Sequence, residues 1–173
     1  MSRSSVRAAV VNYLQNAGLP GVGSGNVKPF PAKITPEGDF YQNEDPGHMQ
    51  GVIIFTHIER QHEKRIELRG ATGGGKEVTY EFAFTIFFRS SQPKSEDAGK
   101  DNETFLDALI SAVRASKTAG TSDGTVWQWG EGQMNGGTDV QIESDYPRSL
   151  NGKSAVTQVV SVARVIVIEQ TVN

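Results

Sequence analysis

Val78-Thr-Tyr-Glu-Phe-Ala-Phe-Thr-Ile-Phe-Phe88 decides the fold. Val78, Tyr80, Phe82, Phe84, Ile86 and Phe88 fall on one side of an extended chain. Thr79, Glu81, Ala83, Thr85 and Phe87 fall on the other. Alternation of this kind, in residues that are aromatic or β-branched, marks a strand with one face on a core. Thr157 to Thr171 is a second long run, with Val160, Val162, Ile166 and Ile168 on one side and Val159, Ala163, Val165 and Val167 on the other. It is apolar on both sides near its middle, which places it centrally in a sheet.

Shorter strands surround these two. Val52 to Ile58 is a compact apolar run, and Lys64 to Arg69 alternates, with Gly70 to Lys76 as a hairpin loop after it. Val126, Trp127 and Trp129 form a short strand, Val140 to Tyr146 another, and Asn151-Gly152 signals a turn. Two segments have helical spacing. Val6, Ala9, Val10, Tyr13, Leu14 and Ala17 recur at intervals of three and four, predicting a helix over Ser4 to Ala17 that Gly18 stops. Phe105, Leu106, Ala108, Leu109, Ile110, Ala112 and Val113 predict a second over Asn102 to Ser116, with Asp101 as its N-cap. The polar stretch Arg89 to Lys100 reads as a mobile loop. Residues 20 to 51, rich in Gly, Pro and Asn, read as an irregular arm with one edge strand near Ala32 to Thr35.

The expectation is one α+β domain over residues 1–173: a mostly antiparallel β-sheet with two helices packed on one face. A chain of 173 residues buries roughly 70% of its unfolded surface, enough for a core without crosslinks. There is no cysteine, which excludes disulfides, thiolate metal sites and thiol catalysis. The net charge of −3 shows no basic run of the kind that grips nucleic-acid phosphates. No secretory leader and no membrane span are expected from the apolar pattern.

Candidate chemistry is sparse. Gly70-Ala-Thr-Gly-Gly-Gly-Lys76 matches part of a phosphate-binding loop, but Glu77 stands where a Mg²⁺-binding hydroxyl belongs. The segment that follows has strand spacing, and a phosphate site needs the free N–H groups of a helix N-terminus. A flexible hairpin tip is the expectation. His48, His57 and His62 are the only histidines, and a zinc site without cysteine would need all three plus a carboxylate. No metal, cofactor or catalytic residue is expected. Trp127 and Trp129 share one side of a strand, suited to packing at a subunit interface or, as an alternative, to stacking on a sugar. Mixed charges run from Glu59 to Arg69; at a sheet edge they discourage aggregation or form ion pairs between subunits. Glu59, Arg60, Arg65, Arg69, Arg89, Trp127 and Trp129 are therefore the candidate subunit-interface residues.

The order of these pieces resembles the tail-terminator (tail-completion) proteins of long-tailed bacteriophages. The matching features are the helix over Val6 to Leu14 and the strand run Tyr80 to Phe88. A polar break, Asn102-Glu-Thr-Phe-Leu-Asp-Ala-Leu-Ile-Ser-Ala-Val113 and a closing hairpin ending in Val159 to Ile168 complete the pattern. The resemblance implies a non-enzymatic virion protein at the head-proximal end of the tail, assembled in the host cytoplasm. Its subunits form a homo-oligomeric ring, commonly a hexamer, on the finished tail tube protein. The ring stops tube growth and offers a docking surface to the head–tail connector or neck protein, with DNA only in transit. The arm from Pro20 to Gly51 is longer than the resemblance implies, so a neck or head-completion adaptor is the alternative within the same class. Carbohydrate or phosphate binding is the alternative of another class. Assembly would order the arm, the Gly70 to Lys76 tip and the Arg89 to Lys100 loop between neighbours.

Overall fold

The computed structural model describes residues 3–23, 25–31, 51–65, 75–90, 94–115, 118–122, 125–129, 140–145, 148–149 and 157–172. The predicted edge strand at Ala32 to Thr35, the 66–74 loop and the turn at Asn151-Gly152 lie outside them. In chain order the elements are α1 (Arg3–Asn16), β1 (Val27–Lys28), β2 (Gly51–Arg65), β3 (Gly75–Ser90), α2 (Ser95–Ala115), β4 (Thr118–Ser122), β5 (Thr125–Trp129), β6 (Gln141–Ser144), β7 (Arg148–Ser149) and β8 (Thr157–Val172). The fold is α+β: among the described residues, one mostly antiparallel sheet with two helices, ordered β1-β2-β3-β8-β5-β4, in which β1 and β2 pair parallel.

β8 is central, as its two apolar sides require. One edge pairs with β3 from Gly75↔Val172 to Ser90↔Thr157. The other edge is shared by β7 at Gln158, β6 from Ser161 to Arg164 and β5 from Val167 to Glu169. Three short strands thus satisfy backbone groups along one long one.

Both helices press on the same face. Val6, Val10 and Leu14 of α1 join Phe105, Leu109 and Val113 of α2 over Ile54, Tyr80, Phe82, Phe84, Ala163 and Val165 in a single buried cluster. α1 also touches β1 and β2 near one end of the sheet and β4 at the other. Arg3 donates to Ile58 O and Gln15 to Val27 O, so both ends of α1 lie over β1 and β2, and its further contact with β4 shows the sheet curling around it. The opposite face carries a small second cluster, Ile53, Phe55 and Phe87, with the Phe55 and Phe87 rings edge to face at 5.7 Å.

Three sequence expectations need correction. Val52 to Ile58 and the start of the Lys64 to Arg69 segment belong to one strand, β2, interrupted by a register shift between Ile58 and Arg60. The extra residue, Glu59, flips the side-chain phase, so the alternation on either side of it cannot be read as continuous. The second helix begins at Ser95, not Asn102, so Asp101 is no N-cap. Glu96 and Asp97 favour its first turn through the helix dipole, and Lys100 Nζ lies 2.8 Å from Glu96. The buried stripe begins at Ala98 and Asn102, before the leucines that revealed it. The supposed loop from Arg89 to Lys100 is correspondingly short, since Arg89 and Ser90 end β3 and residues 95–100 are helical. Finally, β1, β4 and β7 have no counterpart among the expected strands; they are short and lack alternation.

Candidate functional site

The face opposite the two described helices carries a belt of charges. Its centre is Arg164 on β8, whose Nε lies 3.3 Å from Glu59 and whose Nη1 lies 3.3 Å from Glu143 of β6. In register, the residue between Arg164 and β2 is Ala83, which pairs with His57. A methyl group there leaves the guanidinium room to pass over β3 to Glu59. The hydrogen bond to Glu143 and the charge of Glu59 both raise the pKa of Arg164. His57 Nε2 lies 3.8 Å from Glu59, and Arg60 Nε lies 3.7 Å from Glu81. At the far end of the β2–β3 hairpin, Lys76 Nζ is 3.4 Å from Glu63. These pairs are exposed or half-exposed, so they set the charge pattern of the face more than they stabilise the fold.

Of the candidate interface residues, Glu59 and Arg60 fall together in this belt. Arg65 is exposed at the end of β2, its backbone opposite Lys76. Arg69 lies outside the described residues. Arg89 is 2% exposed and its Nε donates to Gln158 at 2.8 Å, so it is held inside the subunit rather than presented on its surface. The backbones of Trp127 and Trp129 pair with those of Glu169 and Val167.

Gly75, Lys76 and Glu77 are strand residues, and no helix follows them. The glycine-rich string therefore lacks the helix N-terminus that a phosphate site would use. We expect no saturable binding of Mg-ATP in titration calorimetry; saturable heat that Lys76→Ala abolishes would contradict this. Among the described residues no group of three or more His, Asp or Glu is arranged to hold a metal ion. No helix among them is long and apolar enough to cross a membrane.

Two features gave no motif in the sequence. One is the buried pair Tyr80 and Glu169, each 1% exposed, in which the tyrosine hydroxyl donates to Oε2 at 2.9 Å. Burial first, then this bond and the glutamate charge, raises the Tyr80 pKa well above 10.0. The other is an open groove of about 510 Å³ between α1 and α2, lined mainly by alanines and asparagines. Its only sequence signal was the alanine-rich end of α2. Comparison with known proteins found no matching family model and no matching curated sequence.

Proposed function

We propose that this chain is a structural subunit of a bacteriophage tail, assembling as a ring that caps the tail tube. The order of elements carries the reading. An N-terminal helix, a long β2–β3 hairpin, a second helix and a long closing strand form one sheet with both helices on one face. That is the order on which the resemblance to tail terminators rests. The charge belt around Arg164, with Glu59, Arg60, Glu81 and Glu143, offers paired charges of both signs, as suits a polar contact surface. The ring, a hexamer by the resemblance, sits between the tube protein and the connector, and DNA passes through it.

The experiment is a capping assay. Purified chain is added to polymerising tail-tube subunits, and tube growth is expected to stop. A shortened arm gives a second readout. The arm is anchored at its start: Val52 N–H donates to Gly21 O, Ile54 N–H to Asn26 O, and the Thr56 hydroxyl to Lys28 O. Deleting Pro36 to Gly47 leaves these bonds intact. It retains residues 29–35 and 48–50, whose extended reach of roughly 33 Å is ample to rejoin β2. This variant is expected to keep a cooperative melting transition, because the bonds that anchor the start of the arm are retained, and to cap poorly. Full capping by it would remove any assembly role for the arm.

A further inference from the structure

We propose that Phe30 of one copy of the chain seats in the groove between α1 and α2 of the next copy. The inference rests on the ring reading and supplies a contact for it. Phe30 is 60% exposed, the one exposed large hydrophobic side chain among the described residues. It is also held in place. The Arg7 guanidinium lies 4.5 Å from the centre of its ring. Two residues earlier, the Lys28 carbonyl accepts from Thr56. Pro29 and Pro31 restrict the backbone on either side. An aromatic ring fixed before contact loses little freedom on binding, which is what an anchor residue needs.

The groove has matching character. Ala9 and Ala17 of α1 and Ala112 and Ala115 of α2 give it small apolar walls, and Asn12 and Asn16 supply polar groups beside them. The Tyr13 hydroxyl donates to the Ala112 carbonyl at 2.6 Å, tying the two helices together so that the groove keeps its width. Its volume of about 510 Å³ admits an aromatic side chain with neighbouring atoms.

Knob and groove cannot meet within one subunit. Arg7, which holds Phe30, and Asn16, which lines the groove, are nine residues apart on α1. At 3.6 residues per turn that is about two and a half turns, so they face opposite flanks of the helix. The contact is therefore head to tail: each copy gives its knob to one neighbour and its groove to the other. Repetition of such a contact closes into a ring when the rotation fits. Phe30 anchors the interface; surrounding polar contacts supply the rest of the roughly 800 Å² per partner that a specific contact needs.

The chain has no cysteine, so disulfide trapping is clean. Pro31→Cys protein, which keeps the Phe30 ring, is mixed with Asn16→Cys protein under mild oxidation at concentrations up to the millimolar range. Crosslinked dimers are expected from the mixture and only background from either variant alone. Phe30→Ala is expected to weaken self-association about tenfold or more, the scale of an anchor residue, with an unchanged melting transition. Ala115→Trp, which fills the groove, is expected to do the same. Mixing these two variants restores one good knob and one good groove, giving dimers but no rings. A chain that stays monomeric throughout, or one that associates without the mixed crosslink, overturns the proposal. So does loss of tube capping by Ala115→Trp with self-association intact, which would assign the groove to the tube. Crosslinking without capping would leave this contact standing and remove the terminator reading; capping without crosslinking would do the reverse.

Discussion

Phe84→Ala is expected to destabilise the protein by about 3–5 kcal/mol. Phe84 is fully buried in the middle of β3, on the face beneath the helices. Its register neighbours are Thr56 on β2 and Ala163 on β8. Both immediate neighbours are small, and the next residue in the row beyond Ala163 is Ile142 of β6. Truncation leaves Thr56, an alanine and Ala163 side by side, a gap beneath the helices that the close-packed Phe82 ring, 6.3 Å away, fills only in part. At about 2–4 °C per kcal/mol for a domain of this size, the melting temperature should fall by on the order of 10 °C. Phe87→Ala is the matched comparison. Phe87 lies on the opposite face, only partly buried, with Phe55 as its ring partner. It should cost clearly less. Equal losses in the two variants would contradict the placement of the main core on the helix side.

The second large effect is at Tyr80. Replacing it with Phe removes the donor to Glu169 Oε2 and leaves a carboxylate that is 1% exposed. The other oxygen, Oε1, already lacks a hydrogen-bond partner. Stranding a buried acceptor costs about 1–3 kcal/mol, and more when it is charged. Exchanging both residues for apolar ones, Tyr80→Phe with Glu169→Met, should recover much of the loss, because no polar group is then stranded. A double-mutant cycle of thermal or denaturant unfolding measures the coupling. The same pair fixes an alkaline dependence. The phenol pKa is raised in the folded protein above its ordinary 10.0. The folded state thus holds the proton more tightly than the unfolded state. The resulting stability is fully present below about pH 10 and declines above it, as the unfolded phenol ionises and the folded one does not. Wild type should lose stability more steeply than Tyr80→Phe above pH 10; parallel curves would contradict the assignment.

The long strands and both helices were legible because each has a periodic apolar pattern that one burial direction explains. Val78 to Phe88 and Thr157 to Thr171 grew by only a few residues in the structure, to β3 and β8. What failed was local. Glu59 occupies a bulge, and a phase change cannot be seen in a pattern that assumes constant phase. The first turns of α2, Ser95-Glu-Asp-Ala-Gly-Lys100, look like a loop by composition, yet dipole, ion pair and the single buried Ala98 favour helix. The candidate surface was half legible. Mixed charge from Glu59 onward announced an exposed segment, but Arg164 and Glu143, which complete the belt, lie 105 and 84 residues further along and join it only through the sheet. Arg89 shows the converse: a charged residue at a strand end that folding buries beside Gln158. Phe30 reads in the sequence only as an apolar anchor of the Pro-rich arm, since one aromatic between two prolines has no period to read.

Electron microscopy of tail tubes grown with the protein present tests the central claim most directly. A terminator ring gives tubes of arrested length, each bearing one added ring at one end and none along its side. Tubes that grow on unarrested with bare ends, or protein bound along their walls, would contradict it.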